Sequence, residues 1–374
     1  MVLSTLITIV VFILILSVLV LVHELGHFFV AKKLKIKVEE FGFGLPPRAL
    51  SFKRGETIYS INWLPIGGFC RLYGEDEAGS GSVKVKTSEA KIKDSHRAFF
   101  SRPAWQRAAV SVAGVVMNFL LAVVLISYLF SAVGVPVSGN KVVVADIVKN
   151  SPAAKAGLKI NDVFVSIDKT KISGAEQLVS ITKKHLGEPI SVQLTRNGKA
   201  KTIDVTPRKI YPANEGPMGV SISQNYEVVK YPWYKAPFLG TWEALKESWL
   251  IASGLGVALY QLLFFGVAPK GVAGPVGIAQ LTGQFVQIGP YAVMSFVSLL
   301  SLNLAILNIL PFPALDGGRL FFIVLEVVFR RKVNQKFEAY AHAIGMAILL
   351  ALIALITIHD LVRYFTGQPV LPQP

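Results

Sequence analysis

The chain has 374 residues, of which 52% are hydrophobic and 16% charged, with a mean hydropathy of +0.53. Those proportions exclude a soluble enzyme built around one large core and describe an integral membrane protein. The formal net charge of +15 comes without an aromatic-basic motif, so it marks loops held against anionic lipid and not a nucleic-acid partner. The lone cysteine, Cys70, excludes a disulfide framework and a multi-cysteine zinc site, and reads as a small packed residue.

Val2 to Val22 carries no charged side chain and, at a rise of 1.5 Å per residue, is long enough to cross a bilayer. It lacks a basic leading region and is too long an apolar stretch for a signal peptide, so it reads as a retained span. The run ends in His23-Glu24-Leu25-Gly26-His27. Positions four apart share one helix face, so His23 and His27 can chelate one metal ion while Glu24 takes a proton from the attacking water. Ionisable groups at bilayer depth are costly and mark function by default. The plainer alternative is a patch of histidines reaching for the interface. Fourteen Lys or Arg follow between Lys32 and Arg102, and none precedes the first span. That asymmetry puts the loop in the cytoplasm and runs the first span from outside to inside. Within the loop, Thr57 to Trp63 alternates as a strand does, and Glu75 to Ser82 is a polar Gly/Ser linker.

Further apolar stretches of membrane length fall at about 108–134, 248–268, 291–310 and 341–358. Residues 140–224 change character. Val142-Val143-Val144, Val163 to Ile167, Ile190 to Leu194 and Thr202 to Val205 predict short strands, and Asn197-Gly198 predicts a hairpin turn. Ala175 to His185 predicts a helix with Leu178, Ile181 and Thr182 on one side. The segment is thus a small α+β domain, and its lysines do not forbid export, because long domains translocate largely regardless of charge. Lys230 to Pro237 links it to Trp242-Glu243-Ala244-Leu245-Lys246-Glu247, which has an interfacial, amphipathic character. The tail Gln368 to Pro374 reads as disordered.

A catalytic zinc needs three protein ligands and one open position. His96 and His185 fall in a loop and in the soluble domain, and His342 and His359 flank the last span, where interfacial positions suit them. Asp316 is the better third ligand, because it follows an uncharged stretch that begins after Lys270. Pro311 and Pro313 interrupt helix geometry and free backbone groups at membrane depth, which is tolerated only where the backbone lines a protein cavity. Gly317 and Gly318 permit close approach.

With these residues in view, the chain resembles the site-2 protease family of intramembrane zinc metalloproteases over nearly its whole length. His23 to His27 fits the family's HExxH, and Asn308 to Gly318 fits its NxxPxPxLDG signature, about 280 residues away. Phe41-Gly42-Phe43-Gly44, Pro65-Ile66-Gly67-Gly68-Phe69 and Gly274 to Ala279 are similar to the bacterial RseP-type subgroup, which cleaves anti-sigma factors. Ser151 to Leu158 with Asn161-Asp162 resembles a circularly permuted PDZ fold. Val115 departs from the pattern, since relatives often carry proline after the glycine, and only one PDZ-like domain is present. The resemblance implies one zinc ion held by His23, His27 and Asp316, with Glu24 as base. It also implies a membrane-associated β-hairpin over about residues 39–71, with Gly67 and Gly68 beside the site and the substrate. Asn308, with Pro311 and Pro313, shapes the substrate channel on this reading; alternatively Asn308 caps backbone freed by the prolines. The PDZ-like domain acts as a size filter or tether, or captures a carboxylate at Met218-Gly219-Val220.

A shared metal constrains topology. If all five apolar stretches crossed, Asp316 would emerge opposite His27, so one does not span, and 248–268 is the best candidate. Arg330, Arg331, Lys332 and Lys336 favour a cytoplasmic loop before the last span. The expected fold is a polytopic α-helical membrane protein with four transmembrane helices, a membrane-associated β-hairpin and one inserted α+β PDZ-like domain. It divides into a first transmembrane helix with the HExxH (1–30), a cytoplasmic loop with membrane-associated β-structure (31–104) and a second transmembrane helix (105–136). An extracytoplasmic PDZ-like domain (140–224), a linker with an amphipathic or re-entrant segment (225–288) and the last two transmembrane helices (289–374) complete it. The expected activity is hydrolysis of a peptide bond in or near the transmembrane helix of single-span proteins in a bacterial cytoplasmic (inner) membrane, with the active site toward the cytoplasm. An anti-sigma factor or a signal-peptide remnant would be the substrate. The alternatives are a metal transporter or sensor, against which the absence of repeated halves counts, and an inactive membrane-anchored PDZ scaffold.

Overall fold

A computed structural model describes residues 2–75, 95–212, 215–265 and 273–366. All but the first residue of the linker at Glu75 to Ser82, the end of the 248–268 stretch and the tail from Gln368 lie outside the described residues. In chain order, helix α1 (Val2–Lys33) leads into strands β1 (Val38–Arg54) and β2 (Thr57–Leu72), and two short 3-10 turns precede α2 (Ala104–Ala132). Then come β3 (Val135–Ile147), α3 (Pro152–Lys155), β4 (Val163–Ile167), β5 (Thr170–Lys171), α4 (Ala175–Lys184), β6 (Ile190–Arg196), β7 (Lys199–Val205) and β8 (Val220–Val229). The chain ends in α5 (Ala236–Phe265), α6 (Pro275–Ile288), α7 (Pro290–Ile309), α8 (Asp316–Phe329) and α9 (Gln335–Phe365). Two compact units result: Met1–Val133 with Pro232–Pro374, and Gly134–Tyr231.

Among the described residues of the first unit, four helices are long and apolar enough to cross a membrane: Thr5–Lys33, Ala104–Ala132, Pro290–Ile309 and Lys336–Phe365. Proline begins α6 and α7, at Pro275 and Pro290, where its missing N–H costs nothing. The 248–268 stretch lies largely in α5, a single helix that starts at Ala236. One side of α5 exposes Phe238, Trp242, Leu245 and Trp249, while Ala244 is fully buried against Ala122, Ile126 and Leu302. The short helix α6, which hydropathy did not single out, packs on α1, α7 and α9. Its Gly277 N–H donates to the buried Asp360 carboxylate at 2.7 Å, and Arg363 pairs with that carboxylate at 2.8 Å. Burial of an ionic group in this way needs both partners. A second pair, Arg107 to Glu326 at 2.7 Å, ties α2 to α8.

Strands β1 and β2 pair antiparallel with repeated register shifts, so that Phe41 has both Cys70 and Tyr59 as partners. The hairpin turns at Gly55, with φ +64°. Its base is packed: Ile36, Val38 and Leu72 join Ala31 of α1 and Val110 of α2 in one apolar cluster. Its far end is not, since Leu50, Phe52, Ile61 and Trp63 are each more than half exposed. A large exposed apolar patch of this kind marks contact with a partner or with lipid.

The second unit is an antiparallel sheet ordered β7-β6-β4-β3-β8, with β5 paired to β4. Alternating Val142, Val144, Phe164, Ile190, Val192 and Leu194 pack with Leu178 of α4 into its core. Asn197 and Gly198 take positive φ of 51° and 77° between β6 and β7, as a type I′ turn demands. The sheet extends past 140 and 224, because β3 and β8 continue as a ribbon pairing Val135 with Val229.

Asp162 is buried in this unit and accepts two hydrogen bonds from Arg196, at 2.7 and 2.6 Å, and one from the Lys159 N–H at 2.8 Å. Burial raises its carboxyl, but Arg196 and the amide outweigh that and hold it below the usual carboxylate range. A carboxyl depressed by folding stabilises fully above its unfolded value of about 3.9, and the stabilisation is lost as pH falls through the folded value. In the full chain, hydrogen exchange of β4 and β6 amides, corrected for intrinsic rates, is therefore expected to accelerate below about pH 4. Asp162→Asn should exchange fast already at neutral pH and lack that acid step. Equal protection of both proteins at neutral pH would exclude this role for the pair.

Candidate metal centre

Helix α1 places His23 and His27 one turn apart on a single face, and both are nearly fully buried. Asp316, at the first position of α8, meets them. Its Oδ2 lies 2.8 Å from His23 Nε2 and 3.2 Å from His27 Nε2, and the two Nε2 atoms are 3.1 Å apart. Ligand bonds of 2.0–2.2 Å in a tetrahedral zinc site set its ligands roughly 3.3 Å from one another, so this triangle fits the ion in size as well as in donor type. His27 Nδ1 donates to the Val110 carbonyl at 2.8 Å, which fixes the ring and leaves Nε2 as the free lone pair.

Helix α2 is shaped to admit the two rings. A Cβ on Gly114 would stand 2.6 Å from Nε2 of both histidines, closer than any real contact. Gly26 on α1 faces the Ala113 carbonyl in the same seam, again with no room for a side chain. The small residues let the two backbones touch, and the touching backbones hold the rings. Beside them the Asn118 amide nitrogen is 3.4 Å from His23 Nδ1, and the Asn118 carbonyl accepts a 2.8 Å hydrogen bond from the Ser301 hydroxyl of α7.

Asp316 arrives through a compact loop. α7 stops at Ile309, Pro311 and Pro313 fill the turn, and α8 begins at Asp316. Gly317 packs on the carbonyls of Ile309 and Leu310, and Gly318 on that of Phe312, so neither position accepts a side chain. Ala314 is held at φ +84°, a left-handed conformation that disfavours alanine. Its N–H donates to His342 Nδ1 of α9 at 2.9 Å, and Gly345 of α9 backs Pro313. His342 is thus buried and braces the loop that carries Asp316. No linear signal could have shown this, because the partner is a backbone amide 28 residues away.

The remaining site residues divide. Asn308 sits at the end of α7 with its amide nitrogen 3.5 Å from both ring nitrogens of His23. Gly68 of β2 lies against Glu24, since a Cβ there would be 3.8 Å from the Glu24 Cγ, and Gly67, at φ +77°, lies over Val20. Pro311 and Pro313 act on the loop shape. His96 and His359 are exposed, and His185 bonds the Ile181 carbonyl in the other unit, so none joins the centre. Burial pushes the nearby Cys70 thiol well up, which keeps it protonated.

Comparison with known proteins agrees with this geometry. The profile of peptidase family M50 matches residues 11–352. The zinc metalloprotease RasP of Geobacillus kaustophilus is 31% identical, with 97% of this chain and 99% of the relative covered. The regulator of sigma-W protease RasP of Bacillus subtilis is 30% identical, covering 96% of this chain and 99% of its own. The PDZ domain of an SdrC-like protein from Listeria monocytogenes aligns to 24% of this chain and 93% of its own, at 20% identity and a TM-score of 0.21, too low to establish a shared fold.

Two substitutions test the packing around the centre. Gly114→Ala should weaken zinc binding about 10- to 100-fold, the range for lost support around a ligand, as read by chelator competition on purified protein. His342→Leu should also weaken it, by freeing Ala314 and with it Asp316, while His342→Asn, which keeps an acceptor, recovers part of the loss. Native affinity in both Gly114→Ala and His342→Leu would disprove the bracing.

Proposed function

The chain belongs to peptidase family M50, the site-2 zinc metalloproteases, and from that premise we propose that it hydrolyses a peptide bond in or beside the transmembrane helix of single-span membrane proteins. The observation that carries the reading is the convergence of His23, His27 and Asp316 within 4.8 Å of one another, from opposite ends of the chain and at the end of a membrane-length helix. These three residues would hold one zinc ion. When bound, zinc supplies Lewis acidity toward the scissile carbonyl and the attacking water.

The protein's own groups do the rest. Glu24, one residue from the first ligand, takes the proton of the attacking water and returns a proton to the leaving amine. Asn308, beside the His23 ring, positions the substrate backbone, and Pro311 and Pro313 shape the channel through which it passes. A peptide bond inside a helix is shielded by its own hydrogen bonds, so the substrate has to be extended first. The β1–β2 hairpin, with Gly67 and Gly68 over α1, offers strand edges to such a segment. The exposed Leu50, Phe52, Ile61 and Trp63 embed the hairpin in lipid. A Cβ on Gly68 would crowd the Gly42 carbonyl at 3.1 Å and stand in ordinary contact with Glu24 at 3.8 Å.

Orientation follows from charge. The basic residues between Lys32 and Arg102, and again from Arg330 to Lys336, support an orientation with the centre toward the cytoplasm of a bacterial inner membrane. The unit Gly134–Tyr231 then stands outside, as a PDZ-like filter or tether that admits substrates whose outer domains have been removed. The Bacillus subtilis relative is named a regulator of sigma-W, and by that likeness an anti-sigma factor is the proposed substrate, with a signal-peptide remnant as the second. A transporter reading is disfavoured by Glu24, which a transit site does not require.

Glu24→Gln should keep stoichiometric zinc and lower cleavage of a labelled single-span substrate by at least about 10²–10⁴-fold, the usual weight of general acid–base help. Cleavage at the native rate by this variant would remove the base. Single cysteines placed at exposed Lys201 and at exposed Arg331, in a chain without Cys70, should react with an impermeant thiol reagent from opposite sides of the membrane; labelling from one side would overturn the orientation.

A further inference from the structure

His27 and His23 are served differently by their surroundings. His27 Nδ1 has the Val110 carbonyl as acceptor at 2.8 Å. His23 Nδ1 faces the amide nitrogen of Asn118 at 3.4 Å, and the Asn118 side-chain oxygen is fully buried with no hydrogen-bond partner. Both facts are costly. If Nε2 is a ligand, Nδ1 carries the ring's proton, and a donor then points at a donor. A buried carbonyl oxygen left unpaired is equally unfavourable. One half-turn of the Asn118 amide about χ2 exchanges its oxygen and nitrogen in place, so that the oxygen meets Nδ1 and the nitrogen takes the oxygen's buried position.

Asn308 cannot supply the same service. Its amide nitrogen is 3.5 Å from Nδ1 and 3.5 Å from Nε2. A group on the line of the Nδ1–H bond would be far nearer to Nδ1 than to Nε2, so Asn308 lies off that line. Asn118, by contrast, is within reach of Nδ1 only, is 0% exposed, and has its backbone fixed by the Ser301 hydroxyl. Its place on α2 is one turn beyond Gly114, so the helix that makes room for the imidazoles also presents this amide.

We infer that Asn118 is a positioning residue of the metal centre: its side-chain oxygen accepts the His23 Nδ1 proton, which locks the tautomer that offers Nε2 to zinc. The inference rests on the reading of His23 as a ligand. Asn118 touches neither the zinc nor the substrate, and it acts through the ring alone. Helix α2 then supplies the outer partner of both histidines, a main-chain carbonyl for one and a side-chain amide for the other.

The test uses the full-length protein purified in detergent, with zinc affinity read by chelator competition and cobalt(II) substitution read by its visible spectrum. Asn118→Leu, which keeps the volume and removes the acceptor, should lose zinc affinity about 10- to 100-fold. Asn118→Asp, which has two acceptors and no donor when ionised, should bind zinc at least as tightly as the native protein and keep the cobalt spectrum. If the amide nitrogen instead served Nδ1, the aspartate would face a lone pair and the affinity would fall, which overturns the inference even where the leucine variant does not fold. Native affinity in Asn118→Leu overturns it as well. His23→Ala is measured alongside: unchanged zinc binding there would refute the ligand assignment, a failure separate from that of Asn118.

Discussion

The closeness of α1 to α2 is the constraint on which the helical unit depends. Gly26 and Gly114 leave no space for a side chain in the seam between the two helices, so the backbones meet and van der Waals packing replaces the hydrophobic drive that lipid cannot supply. Only at that separation does the Val110 carbonyl reach His27 and the Asn118 amide reach His23. The ring orientations are consequences of helix packing before they are features of a metal site. A larger residue at either glycine would shift a whole helix, and with it every donor atom that the helix presents.

The second half of the site is built on a different principle. Asp316 is delivered by a break in a helix, and a break at this depth frees backbone groups that lipid cannot satisfy. The protein answers with its own parts: Gly317 and Gly318 fold back on the carbonyls of the preceding turn, and His342 takes the Ala314 amide. Charges near the break are handled likewise, for α8 is pinned by Arg107 through Glu326 and by Glu75 through Arg319. Each of these half-buried ions has its partner in a distant part of the chain, which is the condition under which such groups are tolerated. A carboxylate held on a fixed helix end, by a loop with no slack, keeps its oxygen where two imidazoles can share it.

How much of this a reader of the sequence can obtain depends on whether the information is local. The spacing of His23 and His27 is local, and so are the Asn197-Gly198 turn, the apolar spans and the prolines that end α7. The α4 helix was legible from Leu178, Ile181 and Thr182 on one side. Asp316 was legible as the one carboxylate after an uncharged, proline-broken stretch and through the match of two distant motifs to one family pattern; nothing in periodicity links residue 316 to residue 23. The groups that support the metal centre were not legible. Val110 acts through its carbonyl, so its side chain carries no hint, and Asn118 resembles any polar residue in a long apolar helix. His342 looked interfacial because it stands near the start of an apolar stretch, whereas α9 turns it inward onto a backbone amide. Likewise the α5 helix runs unbroken from Ala236, because burial of Ala244 against α2 and α7 overrides the polar character of Glu243 to Glu247.

The brace on the Asp316 loop comes from α9, which follows the other described helices in the chain. A growing chain that has already inserted α1 through α8 owns both imidazoles, the Asp316 carboxylate and Glu24, yet it lacks His342 and Gly345, which pack on the loop that delivers Asp316. The clamp on the Asp316 loop therefore closes only when α9 has joined the bundle.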